Sequence, residues 1–328
     1  MQAPLRSFWF TLGGVWTVLC LGGLFYARSL GLPPQVAAPV IAAFLWEASF
    51  YLIPGFAAVR KAIEGRWRPP VIALCLSASA LAPYCAYTVP AGLFRWTSFV
   101  LLGALAAVLS FWYLCLPRNR LADAAFLLFV AAIVLGGSFS AIFPRPVAGL
   151  RLEILGQLMW TRLAATAVLW FRHAEGVGFG FIPSRTEWGI GIRQYLYFLP
   201  VGLPLGIWTG FLRFHPVDLE WWGFVAVAVG TFLGMFWVVA LAEEFFFRGL
   251  LQQWLGLWLG NRTAGLVLAT LAFGLVHLPF RSFPNWRFAL VATVAGFFYG
   301  RAYSLSGGIR AAMVTHALVN ATTRMLFR

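Results

Sequence analysis

The feature that most constrains this chain is a series of long apolar runs with almost no charge inside them. One of these runs, Trp221 to Ala242, contains no charged residue at all. Of the 328 residues, 61% are hydrophobic and only 10% are charged, whereas an ordinary soluble domain carries about 25% charged residues. Only helices and closed barrels satisfy their backbone in lipid, and the short alternating strands of a barrel are not seen. The sequence therefore predicts an all-α, polytopic transmembrane helical bundle.

The apolar runs predict the number of membrane spans, because a span needs about 20 apolar residues. We expect about 8–11 spans. The sixth candidate is the weakest, since Arg162 interrupts it, and we expect an interfacial helix or a half-span there. The candidate segments are 8–27, 36–58, 70–92, 97–116, 123–143, 154–171, 195–213, 221–243, 264–280, 288–305 and 309–327.

The net charge of +14 comes almost entirely from arginines, which are scattered through the loops between the apolar runs. Basic residues are most frequent in the loop at 60–68 and in loops on the same side. This predicts a cytoplasmic N-terminus in a multi-pass protein, which we place in the inner membrane of a bacterium. The bilayer is the expected partner, and nucleic acid is not, because no basic cluster alternates with aromatics in a polar domain.

The longest polar stretch, 172–194, divides the chain. We predict an N-terminal transmembrane block of unassigned function at 1–171 and a separate module at 195–328. The stretch contains Gly176, Gly178 and Gly180, but it lacks the preceding strand and following helix that a phosphate-binding loop needs. We therefore expect these glycines to be turn residues.

Two adjacent carboxylates, Glu243 and Glu244, directly follow the uncharged run Trp221 to Ala242. A carboxylate in a bilayer costs several kcal/mol unless it is paired or hydrated, and like charges resist ionising together. Arg248 lies four residues after Glu244, so the two side chains share one helix face. A functional reason is therefore expected for this placement.

Two further patterns occur in later apolar segments, Phe273-Gly-Leu-Val-His277 and His316-Ala-Leu-Val-Asn320. Polar side chains in membrane spans nearly always face the bundle interior or a water-filled cavity. The three patterns are therefore expected to meet inside the bundle.

The combined residues suit amide hydrolysis without a nucleophilic serine or cysteine. A carboxylate such as Glu243 can take a proton from water, a histidine such as His277 can orient it, and further donors can stabilise the tetrahedral intermediate. Glu243, His277 and His316 are also a possible zinc ligand set, although they would converge from separate helices. The residues alone therefore leave two mechanisms open, one in which zinc activates the water and one in which no metal takes part.

The three patterns resemble those of the CPBP family of intramembrane proteases, also called the CAAX-protease and bacteriocin-processing or Abi family. This family is related to the type II CAAX prenyl endopeptidases. Its motifs are EExxxR, FxxxH and HxxxN or HxxxD, and all three occur in order within residues 221–328. Both metal-dependent and glutamate-dependent mechanisms have been described for the family.

The resemblance implies a role for each matching residue. Glu243 would activate the water with the help of His277, and Glu244 would support the site together with Arg248. His316 and Asn320 would contact the oxyanion or the water. The implied function is an endopeptidase that cuts a membrane-associated or CAAX-like protein, while a non-proteolytic scaffold or a transporter with the same fold is the alternative.

Strict alternation of spans would place Glu243 and His277 at opposite ends of neighbouring helices, about 30 Å apart. They could not then share a site. We therefore expect the glutamates to lie inside a longer helix, with 249–262 as an interfacial or re-entrant piece.

Overall fold

The computed structural model describes residues 3–280 and 282–328, and over these residues it is helical without β-strands. One isolated antiparallel bridge joins Phe214 and Phe327. The predicted all-α class is confirmed. The α-helices are α1 Ala3–Ser29, α2 Pro34–Tyr51, α3 Ala57–Glu64, α4 Pro69–Ser79, α5 Leu81–Thr88, α6 Trp96–Cys115, α7 Arg120–Leu135, α8 Ser138–Ile142, α9 Glu153–Thr166, α10 Arg185–Trp208, α11 Trp221–Gly234, α12 Leu241–Glu244, α13 Gln253–Trp258, α14 Arg262–Leu275, α15 Trp286–Ser306 and α16 Ile309–Leu326.

Within the described residues, seven helical segments are long and apolar enough to cross a membrane, and the chain is a multi-pass membrane protein. The expected range was higher because α7, α10, α14 and α16 were included. Of these, α7 and α14 are short, with 16 and 14 residues, and α10 and α16 carry charged residues within their length. The orientation of the N-terminus stays a prediction.

The chain divides into two compact units, 1–174 and 175–328. In the first unit, α9 continues as a π-helix to Arg172, and the whole segment Glu153–Arg172 is a full-length candidate span. The expectation of a half-span was wrong, because Arg162 is neutralised inside the unit. Its guanidinium forms a fully buried pair with Glu47, with Nε–Oε1 and Nη2–Oε2 distances of 2.6 and 3.3 Å.

In the second unit, α11, α12 and α13 form one continuous helix, Trp221–Trp258, of 38 residues. Two π-helical segments, Met235–Ala240 and Phe245–Gln252, interrupt its α-helical geometry. The two glutamates lie between them, in the single α-helical turn of α12. We refer to Trp221–Trp258 as the long helix. The π-helical turn, which bonds i to i+5, often occurs at functional sites.

The long helix places the glutamates inside it, as the topology argument required. The expected re-entrant piece at 249–262 does not form, since hydrogen-bonded helix continues without a break to Trp258. The chain turns only at Gly260, whose φ is +63°. Asn261 then begins α14, because its side chain accepts hydrogen bonds from the backbone of Thr263 and Ala264.

Candidate active site

Glu244 lies at the centre of a buried polar cluster in the second unit. It is completely buried, and both of its carboxylate oxygens have a partner. Oε1 lies 2.7 Å from Nδ1 of His316, and Oε2 accepts a hydrogen bond of 3.1 Å from Nε of Arg248. The long helix thus supplies the acid and the arginine, and α16 supplies the histidine.

His316 is held rigidly by its neighbours. Its ring stacks on Tyr299 with centroids 4.4 Å apart and meets the Phe273 ring edge-on at 5.9 Å. Because Nδ1 faces the buried carboxylate of Glu244, we assign the proton of neutral His316 to Nδ1. The second nitrogen, Nε2, then carries a lone pair and lies 3.8 Å from Oε2 of Glu243.

Glu243 differs from Glu244 in its exposure. Its side chain is 34% exposed, whereas that of Glu244 is not exposed at all. Among the described residues, the basic side chain within 4 Å of the Glu243 carboxylate is that of His316. Of the two acids, Glu243 is therefore the one with oxygens free to bind a water molecule.

Arg248 is fully buried, but only part of its guanidinium is hydrogen-bonded. Nε binds Glu244, whereas Nη1 and Nη2 have no hydrogen-bond partner among the described residues. The guanidinium carbon lies 5.1 Å from the centroid of the Phe273 ring, in a cation–π contact. Gly296 leaves space for both groups, since a Cβ there would lie 2.9 Å from the Phe273 ring and 3.3 Å from Nη2.

His277 follows the end of α14 and is half-buried. Its Nδ1 lies 2.6 Å from the carbonyl oxygen of Phe273, and its ring packs edge-on against Phe288 at 4.5 Å. It lies within electrostatic range of Glu243 and His316. The Phe273 ring contacts both histidine rings, so His277 borders the cluster across this phenylalanine.

One region of the chain, which contains these residues, is similar to a known family. Residues 224–322 match the family described as type II CAAX prenyl endopeptidase Rce1-like. We refer to these residues, which are less than half of the chain, as the Rce1-like domain because of this match. The resemblance to the CAAX-protease family is confirmed by this match, and the family is one of proteases.

One curated relative is the uncharacterized protein YpbD of Bacillus subtilis (strain 168), which is 33% identical over 84 residues. The match covers 26% of this chain and 39% of the relative, so the chain spans about two fifths of that protein's length. No solved structure matches significantly.

The Rce1-like domain brings four of the six predicted residues into contact, namely Glu243, Glu244, Arg248 and His316. His277 borders them. Asn320 lies one turn beyond His316, and its amide contacts Sδ of Met235 at 3.7 Å rather than a carboxylate. The chemical roles of all six stay predictions.

The predicted zinc ligands are Glu243, His277 and His316. Nδ1 of His316 is bound to Glu244, and Nδ1 of His277 faces the Phe273 carbonyl, so Nε2 is the nitrogen of each ring that a metal could use. Among the described residues, no group of three His, Cys, Asp or Glu side chains could hold a metal ion. We therefore assign no reaction step to a metal, and zinc stays a prediction for metal analysis.

Two contributors to the Rce1-like domain were missed in the sequence. Tyr299 fixes the ring of His316 by stacking, and Met235 contacts Asn320. A tyrosine between two glycines four residues apart, Gly296 and Gly300, was a usable signal. It marks a face of α15 that other helices approach closely, as the positions of missing Cβ atoms confirm.

Proposed function

We propose that the second unit hydrolyses a peptide bond in a membrane-associated or CAAX-like protein. The observation that carries this proposal is the relation of the two acids to one histidine. Buried Glu244 fixes one nitrogen of His316, and the other nitrogen faces the half-exposed Glu243. A water molecule held beside Glu243 and Nε2 of His316 would have two proton acceptors around it.

The reaction then follows from the charges. Glu243 takes a proton from the water, whose oxygen bonds to the carbonyl carbon of the substrate. The tetrahedral intermediate collapses as Glu243 returns the proton to the amine nitrogen, and the C–N bond breaks. The products are a carboxylic acid and an amine.

We assign Asn320 as a donor to the oxyanion, because its amide now contacts only a thioether within the described residues. Sulfur of methionine is a weak acceptor. A developing oxyanion would therefore readily replace the Met235 sulfur as the acceptor of the Asn320 amide. His316 with its proton on Nδ1 serves the water instead, which divides the two roles that the HxxxN motif implies.

Glu243→Gln is the decisive variant. It keeps the size of the side chain but removes the base, so hydrolysis should fall by about 10³-fold or more. Release of the C-terminal tripeptide from a farnesylated CAAX peptide, with protein in nanodiscs, measures this. Mass spectrometry of protein termini in membranes from cells expressing each variant extends the search to other substrates.

Glu64→Gln is the matched control, since Glu64 is an exposed glutamate of α3 in the first unit. It should retain full hydrolysis. A folded Glu243→Gln protein with the activity of the wild type would overturn the role of Glu243. Absence of any cleavage by the wild type in both assays would favour the scaffold or transporter alternative. Metal content of the purified protein and its sensitivity to chelators test the zinc alternative.

A further inference from the structure

Residues 175–181 run along the long helix, and we call this segment the strap. The carbonyl of Phe181 accepts a hydrogen bond of 2.9 Å from Nε1 of Trp237. Near the other end of the strap, the carbonyl of Glu175 accepts one from Nε2 of Gln253. Lower residue numbers in the strap contact higher residue numbers in the long helix, so the two segments run antiparallel.

Two further contacts lie between these ends. The ring of Phe179 meets that of Phe245 edge-on, with centroids 5.5 Å apart and an interplanar angle of 87°. Val177, which is only 1% exposed, packs against Gly249. A Cβ on Gly249 would lie 2.9 Å from the Val177 side chain. Alternate strap residues therefore contact helix positions spaced by four or eight, which lie on one side of the helix.

The three glycines of the strap have a different role from the one expected. They are not turn residues but sites of close approach. A Cβ at Gly176 would lie 2.5 Å from Nε2 of Gln253, and one at Gly180 would lie 3.1 Å from Cδ of Arg310. At Gly178, which has φ of +60°, it would overlap the Cα of Gly308.

The strap is therefore held from two sides, by the long helix and by the turn between α15 and α16. Tyr303 of α15 adds a hydrogen bond of 2.9 Å from its hydroxyl to the carbonyl of Gly176. The same hydroxyl lies 2.8 Å from Oε1 of Gln253, so its single hydrogen is shared between two acceptors, one on the strap and one on the long helix.

We propose that the strap is a positioning element for the two glutamates, an inference that rests on the proposed function for its catalytic meaning. The long helix is π-helical at Met235–Ala240 and at Phe245–Gln252, on both sides of the glutamates. The strap contacts each π segment, at Trp237 and at Phe245. Phe245 is the neighbour of Glu244, so its contact with Phe179 fixes the turn that carries both acids. Loss of that contact lets the turn shift and breaks the alignment of Glu244 with Nδ1 of His316.

The test uses ¹⁵N-histidine NMR of the full-length protein in nanodiscs, because it needs no substrate. The chain has only four histidines, and His316→Gln identifies the signal of His316. In the wild type, the shifts should report a proton on Nδ1. Phe179→Ala should replace this signal by a mixture of tautomers.

Phe214→Ala is the matched control. Phe214 forms a similar edge-on pair with Phe327, with centroids 5.7 Å apart and an angle of 76°, but contacts no part of the long helix in this pair. The control should keep the His316 signal of the wild type. A Phe179→Ala protein with an unchanged His316 signal would overturn the proposal, as would an equal change in Phe214→Ala.

A second pair of variants separates strap displacement from backbone strain. Gly178→Ala and Gly260→Ala both place a side chain at positive φ, +60° and +63°, but only Gly178 has a neighbour within 4 Å of the new Cβ. Both should lower the melting temperature, and only Gly178→Ala should alter the His316 signal. An altered signal in Gly260→Ala would refute the inference.

Hydrolysis adds a second readout. Phe179→Ala should lower kcat by up to roughly 100-fold with KM nearly unchanged, because misplacement by about 1 Å is enough for such a loss. A wild type without hydrolysis refutes the proposed function alone, since the NMR result still decides whether the strap positions Glu244.

Discussion

Each unit of the protein contains a buried glutamate–arginine pair, and the two pairs are satisfied to very different degrees. In the first unit, Arg162 binds both oxygens of Glu47 and donates a third hydrogen bond of 3.0 Å from Nη1 to Ser79. In the second unit, Arg248 binds one oxygen of Glu244, and its Nη1 and Nη2 have no hydrogen-bond partner among the described residues.

The difference indicates what each pair is for. A buried ion pair repays the cost of its desolvation only when its geometry and remaining hydrogen bonds are good. The pair of the first unit meets this condition and joins α2 to α9. The pair of the second unit does not, because Glu244 gives its second oxygen to His316. Stability is the role expected of the first pair, and orientation of a histidine is the role expected of the second.

Among single substitutions in the two pairs, the largest effect on hydrolysis is expected for Glu244→Gln, which tests the orienting role. Arginine cannot accept a hydrogen bond, so the amide oxygen of the new side chain must face Arg248 and its NH₂ must face His316. His316 then has to accept at Nδ1 and carry its proton on Nε2. We expect kcat to fall by about 10³- to 10⁴-fold, as for other catalytic histidines held in the wrong tautomer.

Steady-state hydrolysis in nanodiscs measures this loss, and ¹⁵N-histidine NMR detects the change of tautomer. Glu47→Gln is the control in the other pair. It also removes the counterion of Arg162 and should lower stability, but the folded protein should hydrolyse at the rate of the wild type. A Glu244→Gln protein that retains kcat within tenfold of the wild type would show that the orientation of His316 does not matter.

The next largest effect concerns the stability of the first pair. Glu47→Leu leaves Arg162 buried without a counterion and should lower the free energy of unfolding by about 3–5 kcal/mol. Glu47→Leu combined with Arg162→Leu removes both charges and should recover most of that loss. Unfolding of nanodisc-bound protein by heat or detergent measures it.

The corresponding double substitution in the second unit tests whether its pair also serves stability alone. Glu244→Leu with Arg248→Leu is also expected to fold, but it should not hydrolyse any substrate. Recovery of hydrolysis in that double variant would mean that both pairs serve stability alone.

The smallest effect comes from replacing each arginine by lysine. Arg162→Lys loses the bidentate geometry and the bond to Ser79, and should cost about 1.5–3 kcal/mol of unfolding free energy. Arg248→Lys removes two nitrogens that form no hydrogen bond in the described structure and should cost less than about 1 kcal/mol. Equal losses at the two positions would remove the distinction between the pairs.

The sequence predicts the membrane-helical class well, because long runs of high hydropathy are sufficient to indicate membrane-spanning helices. It also predicts that Glu244 and Arg248 share a helix face, since their spacing of four suffices for that. The pairing of Arg162 with Glu47 was within reach, because each is a lone charge of opposite sign in an apolar run. Their separation of 115 residues gives no local pattern that joins them.

Other parts of the site depend on tertiary packing and have no local signal. Hydrogen bonding of Nδ1 of His316 to Glu244, rather than to Asn320 or water, is set by how α16 packs on the long helix. The π-helical segments likewise leave no mark in the residue pattern. The glycines of the strap were visible, but their role depends on Gly308 and Gln253, which are far away in the chain.

The pairing of Glu47 with Arg162 also affects how the protein is made. Synthesis proceeds from the N-terminus at about 5–20 residues per second, so α2 enters the bilayer well before α9 exists. During this interval Glu47 has no counterion in the bilayer. The insertion of Arg162 without Glu47 would cost about 2.5–3.5 kcal/mol. Because each charge is acceptable only beside the other, completion of α9 is the step at which the first unit becomes a stable assembly in the membrane.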